Sequence, residues 1–252
     1  MNEPSDKLFA ARLGDMADNC RRTGAAVFSH FLDERQCAEA ELWCRRNTGD
    51  LLYRLWGGFD GACRKMLAIY PDYYEDYIAG EFPMTCLTFS FRKEDRLTHR
   101  DFLGSFMAMR LKRETIGDII IADGIAQAWV TEVAARLILG TVSKIGRTGV
   151  KISDSDPFSM EVRQEFEEIG GTVASLRLDC VVGLAAKVSR ENAARLIRAE
   201  KVSVNHFPAE SLSVGVNEGD IISVRGCGRF LIGKINGTTK KGRIHISLRK
   251  YK

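Results

Sequence analysis

The residues best suited to chemistry lie late in the chain, and the chemistry they suit is anion binding. In Ser189-Arg190-Glu191-Asn192-Ala193-Ala194-Arg195-Leu196-Ile197-Arg198, a helical period gathers Ala193, Leu196 and Ile197 into one stripe. Arg190, Arg195 and Arg198 fall on the opposite face. Ser189 is an N-cap by type, and Glu191 complements the dipole in the first turn. Such a helix buries one side and presents guanidinium groups on the other, and the guanidinium fork matches phosphate oxygens. Lys201-Val202-Ser203-Val204-Asn205 continues as a strand and a sharp turn. A second turn is expected at 216–220 and a strand at 221–226, which carries Arg225. Gly228-Arg229-Phe230 then leads into an expected hairpin over Asn236-Gly237. The Lys240-Lys241-Gly242-Arg243 turn, ahead of a final strand, extends the basic surface and reads as a phosphate clamp, with a plain soluble hairpin as the alternative.

Charge is distributed accordingly. Of 252 residues, 37 are Lys/Arg and 33 Asp/Glu, a net of +4. Residues 174–252 hold 15 Lys/Arg against 6 Asp/Glu, net +9, while 1–173 hold 22 against 27, net −5. A compact basic third on a mildly acidic body has the pattern of a polyanion-binding module carried by something else. The chain, 45% hydrophobic, is too apolar for disorder. Its apolar runs, such as 119–122, fall far short of the roughly 20 residues that span a bilayer. Met1-Asn2-Glu3-Pro4-Ser5-Asp6-Lys7 shows neither a signal nor a transit pattern, so a cytoplasmic location without membrane contact is expected. Seven cysteines, an odd number without a Cys-x-x-Cys pair, read as reduced thiols acting as small hydrophobes.

Catalytic signatures are weak. His99-Arg100-Asp101 spells the protein-kinase catalytic triplet, but the asparagine four residues after the Asp and a glycine-rich phosphate loop are both missing. His99 and Arg100, behind Thr98 as N-cap, read instead as RNA contacts at a helix start or as caps of neighbouring loops, with Lys112 and Arg113 as a second basic pair for RNA contact. His30, His206 and His245 have no metal-ligand spacing, and no nucleophile elbow, Walker loop or Rossmann glycine pattern occurs. No catalytic residue, metal or cofactor is expected.

The elements that must position these residues suggest an α+β chain in three parts. Residues 1–80 form a small α/β region: helices at 5–22 and from Asp33 to Asn47, and strands at 51–56 and 63–70 joined over Gly57-Gly58-Phe59-Asp60-Gly61. Pro71 and the acidic, Tyr-rich stretch after it look like a linker. Residues 81–160 give strand 85–91, helix 99–109, strands 116–122 and 125–131 about Asp123-Gly124, helix 132–145 and strand 149–153. That βαββαβ order is the ferredoxin-like one, shared with RNA-recognition motifs. Leu87, Phe89 and Phe91 should face the helices, leaving Cys86, Thr88 and Ser90 on an open face without the aromatics that stack bases. Trp129 reads as core. A connecting, strand-like stretch at 161–174 then leads to the basic module, 174–252.

Residues 176–230 closely resemble the S4 RNA-binding domain. The matching positions are Arg177-Leu178-Asp179, Ser189-Arg190, Ala194, Leu196-Ile197, Val202, Val204-Asn205, Gly219-Asp220-Ile221 and Val224-Arg225-Gly226. The resemblance implies RNA contacts from Arg190, Arg195, Arg198, Lys201 and Asn205, and the match adds Arg177, Ser189 and Arg225, with Arg229 close behind. His206-Phe207-Pro208 departs from the usual turn of that family. Upstream, His99-Arg100-Asp101-Phe102-Leu103-Gly104-Ser105 and Lys112-Arg113-Glu114-Thr115-Ile116-Gly117-Asp118-Ile119, with the closing Lys-Lys-Gly-Arg-Ile run, resemble the YlmH family. That resemblance implies a non-enzymatic RNA-binding factor, and a monomer is expected. It would dock on large-subunit ribosomal RNA, with peptidyl-tRNA and ribosome quality-control factors as further partners, and act in rescue of stalled translation. The alternative is an RNA-modifying enzyme of the pseudouridine-synthase type, in which Asp179 of Arg177-Leu178-Asp179 would be the nucleophile.

Overall fold

The computed structural model describes residues 4–154, 156–160, 165–239 and 242–251. Lys240 and Lys241 lie outside them. The chain divides into two compact units, 1–162 and 163–252. No helix among the described residues is long and apolar enough to cross a membrane.

In the first unit, α1 (Pro4–Thr23) sets Leu13, Ala17 and Cys20 on one stripe, against Ala40 and Cys44 of α2 (Glu34–Asn47). Asp33 caps α2 reciprocally with Gln36. Strands β1 (Val27–Phe28), β2 (Leu52–Trp56) and β3 (Met66–Tyr70) pair antiparallel in the order β1-β3-β2. The segment after Pro71 is no linker. Its turns Asp72–Tyr74 and Ile78–Gly80 bring fully buried Ile78 into a cluster with Phe31, Met66, Tyr70 and Phe82, while Tyr70 donates to Glu75 at 2.6 Å.

A second sheet follows: β4 (Met84–Ser90), α3 (His99–Ala108), β5 (Ile116–Ala122), β6 (Ile125–Thr131), α4 (Glu132–Thr141), a hairpin of β7 (Lys144–Ile145) and β8 (Thr148–Gly149), then β9 (Lys151–Ser153). Its order is β5-β6-β4-β9. Leu87 and Phe89 bury against Phe102, Phe106 and Ile138, so the helix-facing side is the one the alternation predicts. Helix α4 ends short of 145 because Val142 is extended and the chain then turns at Gly146, with φ +57°.

The expected separation at residue 80 is bridged by two side chains, Arg64 and Asp118. Arg64 Nε donates to the Ile116 carbonyl at 2.9 Å, and its Nη2 to Phe31 and Arg113 carbonyls at 3.1 and 3.2 Å. Asp118 accepts the backbone N–H groups of Cys63 at 2.6 Å and Arg64 at 3.3 Å. Residues 1–80 and 81–160 therefore share one compact unit, because buried polar groups of each are satisfied by the other.

The second face of that sheet is also not open throughout. Thr88 is 4% exposed and Gln127 0%, beneath residues 156–160. Among the described strand residues, only Ser90, Ala122 and Lys151 stay exposed on it.

In the second unit, β10 (Phe166–Val173) precedes α5 (Leu178–Ala185), α6 (Arg190–Arg198), β11 (Val202–Val204), β12 (Phe207–Pro208), β13 (Ile221–Val224), β14 (Gly228–Thr238) and β15 (Ile244–Tyr251). The sheet order is β10-β15-β14-β13-β11-β12. Val181, Val182, Ala193 and Ile197 of the helices bury against Val202, Ile222, Phe230, Ile246 and Leu248. Two expectations change. The stretch before 174 is an integral strand, since β10 pairs with all of β15. Asn236-Gly237 lies inside β14, where the register shifts absorb it, and past the end of β14 the Thr239 N–H donates to the Arg243 carbonyl at 2.7 Å.

Candidate nucleic-acid interface

Helix α6 is capped as its sequence requires: the Ser189 hydroxyl accepts the Asn192 N–H at 3.2 Å. At its other end Glu200 takes φ +55°, while the N–H groups of Glu200 and Lys201 return to the Ile197 and Leu196 carbonyls at 3.0 Å each. This closure directs the chain straight into β11. There Val202 pairs with Val224, and Arg225 N–H reaches the Lys201 carbonyl at 2.8 Å. Arg198, Lys201 and Arg225 thus gather about the C-terminal end of α6, where the dipole favours cations. All three are exposed, and among the described residues none of their side chains has a hydrogen-bond or ion-pair partner. Arg195 pairs with Glu191 at 2.6 Å, but with side chains 69% and 77% exposed the pair is screened and easily exchanged for a phosphate.

Other expected contacts are engaged within the fold. Asp179, 4% exposed, accepts from Arg177 Nε at 3.2 Å, Arg190 Nε at 2.9 Å and its neighbour Cys180 N–H at 3.0 Å. Burial alone would raise its pKa, yet the two guanidinium groups outweigh that and hold it below the usual carboxylate range. Arg190 therefore ties α6 to α5, and Arg177, the N-cap of α5, closes the same carboxylate from its own helix. Asn205 and His206 take φ +48° and +73°, the geometry of a two-residue hairpin between β11 and β12. The Asn205 amide donates to Asp220 at 2.8 Å and accepts the Ile221 N–H at 2.9 Å, so it latches a turn. Arg243 is fastened to Thr172 through its hydroxyl at 3.0 Å and carbonyl at 2.7 Å. Arg229 lies 5.5 Å from the centre of the Tyr251 ring.

In the first unit, Thr98 and Asp101 cap α3 reciprocally, leaving Arg100 exposed with no hydrogen-bond or ion-pair partner among the described residues. Partial burial and the nearby Arg113 push the His99 pKa down. Lys112 is exposed, 3.7 Å from Glu114. Arg113, expected on the surface, is half-buried. Its Nη1 donates to the Ile116 carbonyl at 2.5 Å and the Gly117 carbonyl at 3.3 Å, and burial, then Arg64, lowers its pKa to about 10. No local pattern marks Arg64, whose acceptors lie 33 to 52 residues away.

Residues 80–158 match the family model described as "Putative RNA-binding domain in YlmH". Over 226 residues the chain is 30% identical to "Ribosome-associated protein quality control protein P2" of Bacillus subtilis (strain 168), covering 88% of this chain and 86% of that protein. The chain belongs to the YlmH family. Its fold is similar to that of "Cell division protein ylmH from Streptococcus pneumoniae", with a TM-score of 0.52 at 20% identity, covering 61% of this chain and 93% of that one. In this YlmH chain the residues that stay available to a polyanion are Arg195, Arg198, Lys201 and Arg225 of the second unit, with Arg100 and Lys112 in the first.

Proposed function

We propose that this YlmH-family chain is a non-enzymatic RNA-binding factor that docks on the large ribosomal subunit and acts in rescue of stalled translation. The observation that carries the reading is the cluster of Arg198, Lys201 and Arg225 at the end of α6, exposed and without internal partners among the described residues. Phosphate contacts by such a rigid surface give affinity, and RNA shape gives selectivity. The β5-β6-β4-β9 order supports an RNA-recognition-motif-like reading of the middle region, and the α5–α6 pair on its sheet supports an S4 reading of the second unit. The name of the Bacillus subtilis relative supports a ribosomal partner, and we propose peptidyl-tRNA as a further one. We assign the protein to the cytoplasm as a monomer.

Co-sedimentation with separated ribosomal subunits tests this. The wild type should pellet with the large subunit, less so as salt rises. Replacing Arg195 and Arg198 together by Ala should weaken binding roughly tenfold with little change in Tm. Undiminished binding by that variant, or binding to the small subunit alone, overturns the proposal.

A further inference from the structure

On the second sheet of the first unit, Cys86 lies opposite Trp129 and Thr88 opposite Gln127, and these four side chains share the face turned away from α3 and α4. Their cover, residues 156–160, has no secondary structure. Among the described residues, Gln127 provides its side-chain attachment. Gln127 Nε2 donates to the Thr88 hydroxyl at 3.0 Å and to the Pro157 carbonyl at 2.9 Å. Its Oε1 accepts the N–H groups of Ser159 at 2.9 Å and Met160 at 3.2 Å. Between these points the Phe158 ring stacks on Phe59, centroids 4.5 Å apart and planes 19° from parallel, and lies 6.1 Å from Trp129. The buried Trp129 Nε1 has no hydrogen-bond acceptor among the described residues.

A primary amide that offers one donor and one acceptor beside aromatic planes matches both the edge and the face of a nucleobase. The covering segment imitates each of those features. The Pro157 carbonyl stands where a base acceptor would, the Ser159 and Met160 N–H groups where a base donor would, and Phe158 where a stacked ring would. A base or ribose oxygen would supply the acceptor that the Trp129 indole lacks, a buried donor otherwise left at a cost. Lys151 and Ser90, exposed on the adjoining part of the same face, leave a path for the phosphates of a strand.

We propose that Gln127, Trp129 and Phe59 form a nucleobase slot that Phe158 and its segment fill in the free protein, and that a base of single-stranded RNA enters by displacing them. The slot deepens the RNA-binding reading above and rests on it, but it lies in the other unit and uses none of the same residues. Because the segment competes with the base, apparent affinity is the intrinsic affinity reduced by the fraction of molecules with the slot open.

The test uses the full chain and a short single-stranded oligoadenylate. Hydrogen exchange at the Ser159 and Met160 amides should quicken when the oligonucleotide saturates the protein, and ultraviolet crosslinking should mark the peptide containing Trp129. Phe158→Ala should bind it about tenfold more tightly, since the competing ring is gone. Phe158→Leu, which keeps an apolar filler, should show a smaller gain and serves if the alanine variant does not fold. Unchanged exchange at both amides under saturation, or no gain in either folded variant, overturns the slot. If the wild type still pellets with the large subunit when that happens, the basic surface stands and the slot alone is wrong; if nothing binds, both fall.

Discussion

Both units hold guanidinium groups beside a carboxylate, and they resolve the charge in opposite directions. Between the first two regions, Arg64 and Arg113 outnumber Asp118 and direct their N–H groups mainly to backbone carbonyls. Burial then dominates: the proton affinities of both arginines fall, and that of Asp118 rises. In the second unit the arginines keep much of their surface in solvent, Arg177 42% and Arg190 61%, while the carboxylate is the buried member. Asp179 accordingly moves down and Arg190 up. A carbonyl fixes a guanidinium without neutralising it, whereas a carboxylate does both. The first arrangement is a clamp between regions distant in sequence. The second is a local tie that fixes α6 and leaves its outer face to Arg195 and Arg198.

The sharpest way to break this contrast is Arg64→Met, which keeps aliphatic bulk but strips the donors from three carbonyls. It should cost about 3–5 kcal/mol, read by denaturant unfolding. A loss below about 1 kcal/mol would mean that the clamp carries no special weight. Asp179→Asn should cost less, about 1–3 kcal/mol, since the arginines it abandons can still reach water. Acid unfolding sharpens the point. A carboxylate whose native pKa is depressed contributes its stability above the unfolded value of about 4 and loses it as pH falls through the native one. The wild type should therefore destabilise more steeply than Asp179→Asn below about pH 4. Asp118 has the opposite sign, its raised native pKa favouring the folded state as pH falls. Smallest of all is Glu191→Gln, which unpairs Arg195: stability should stay within about 0.5 kcal/mol, and low-salt filter binding to ribosomal RNA should strengthen less than about threefold.

What could be read in advance follows the range of each interaction. The Asp33, Thr98 and Ser189 caps are legible because each is satisfied three residues away. The alternation of Leu87 and Phe89 is legible because a strand repeats every second residue. The stripe of α6 fixes its buried side, Ala193 and Ile197, for the same reason. Arg177, Arg190, Asn205 and Arg243 show the limit. Residue type marks them as cations or turn formers, but whether such a group is free depends on partners up to 71 positions away. Asn236-Gly237 fails differently, because a strong local turn signal yields to the pairing of two long strands. Phe158 had no signal at all; its place is set by Phe59 and Gln127, on other elements.

Strand β10 carries a practical corollary for dissecting this protein. It runs opposite all eight residues of β15, from Phe166 facing Tyr251 to Val173 facing Ile244. A fragment begun at 174, where the basic composition starts, would strip that neighbour away and leave a raw strand flank above Ile246 and Leu248. Such a flank templates further strands, so dimers or precipitates of the shortened piece would report the scissors and not the molecule.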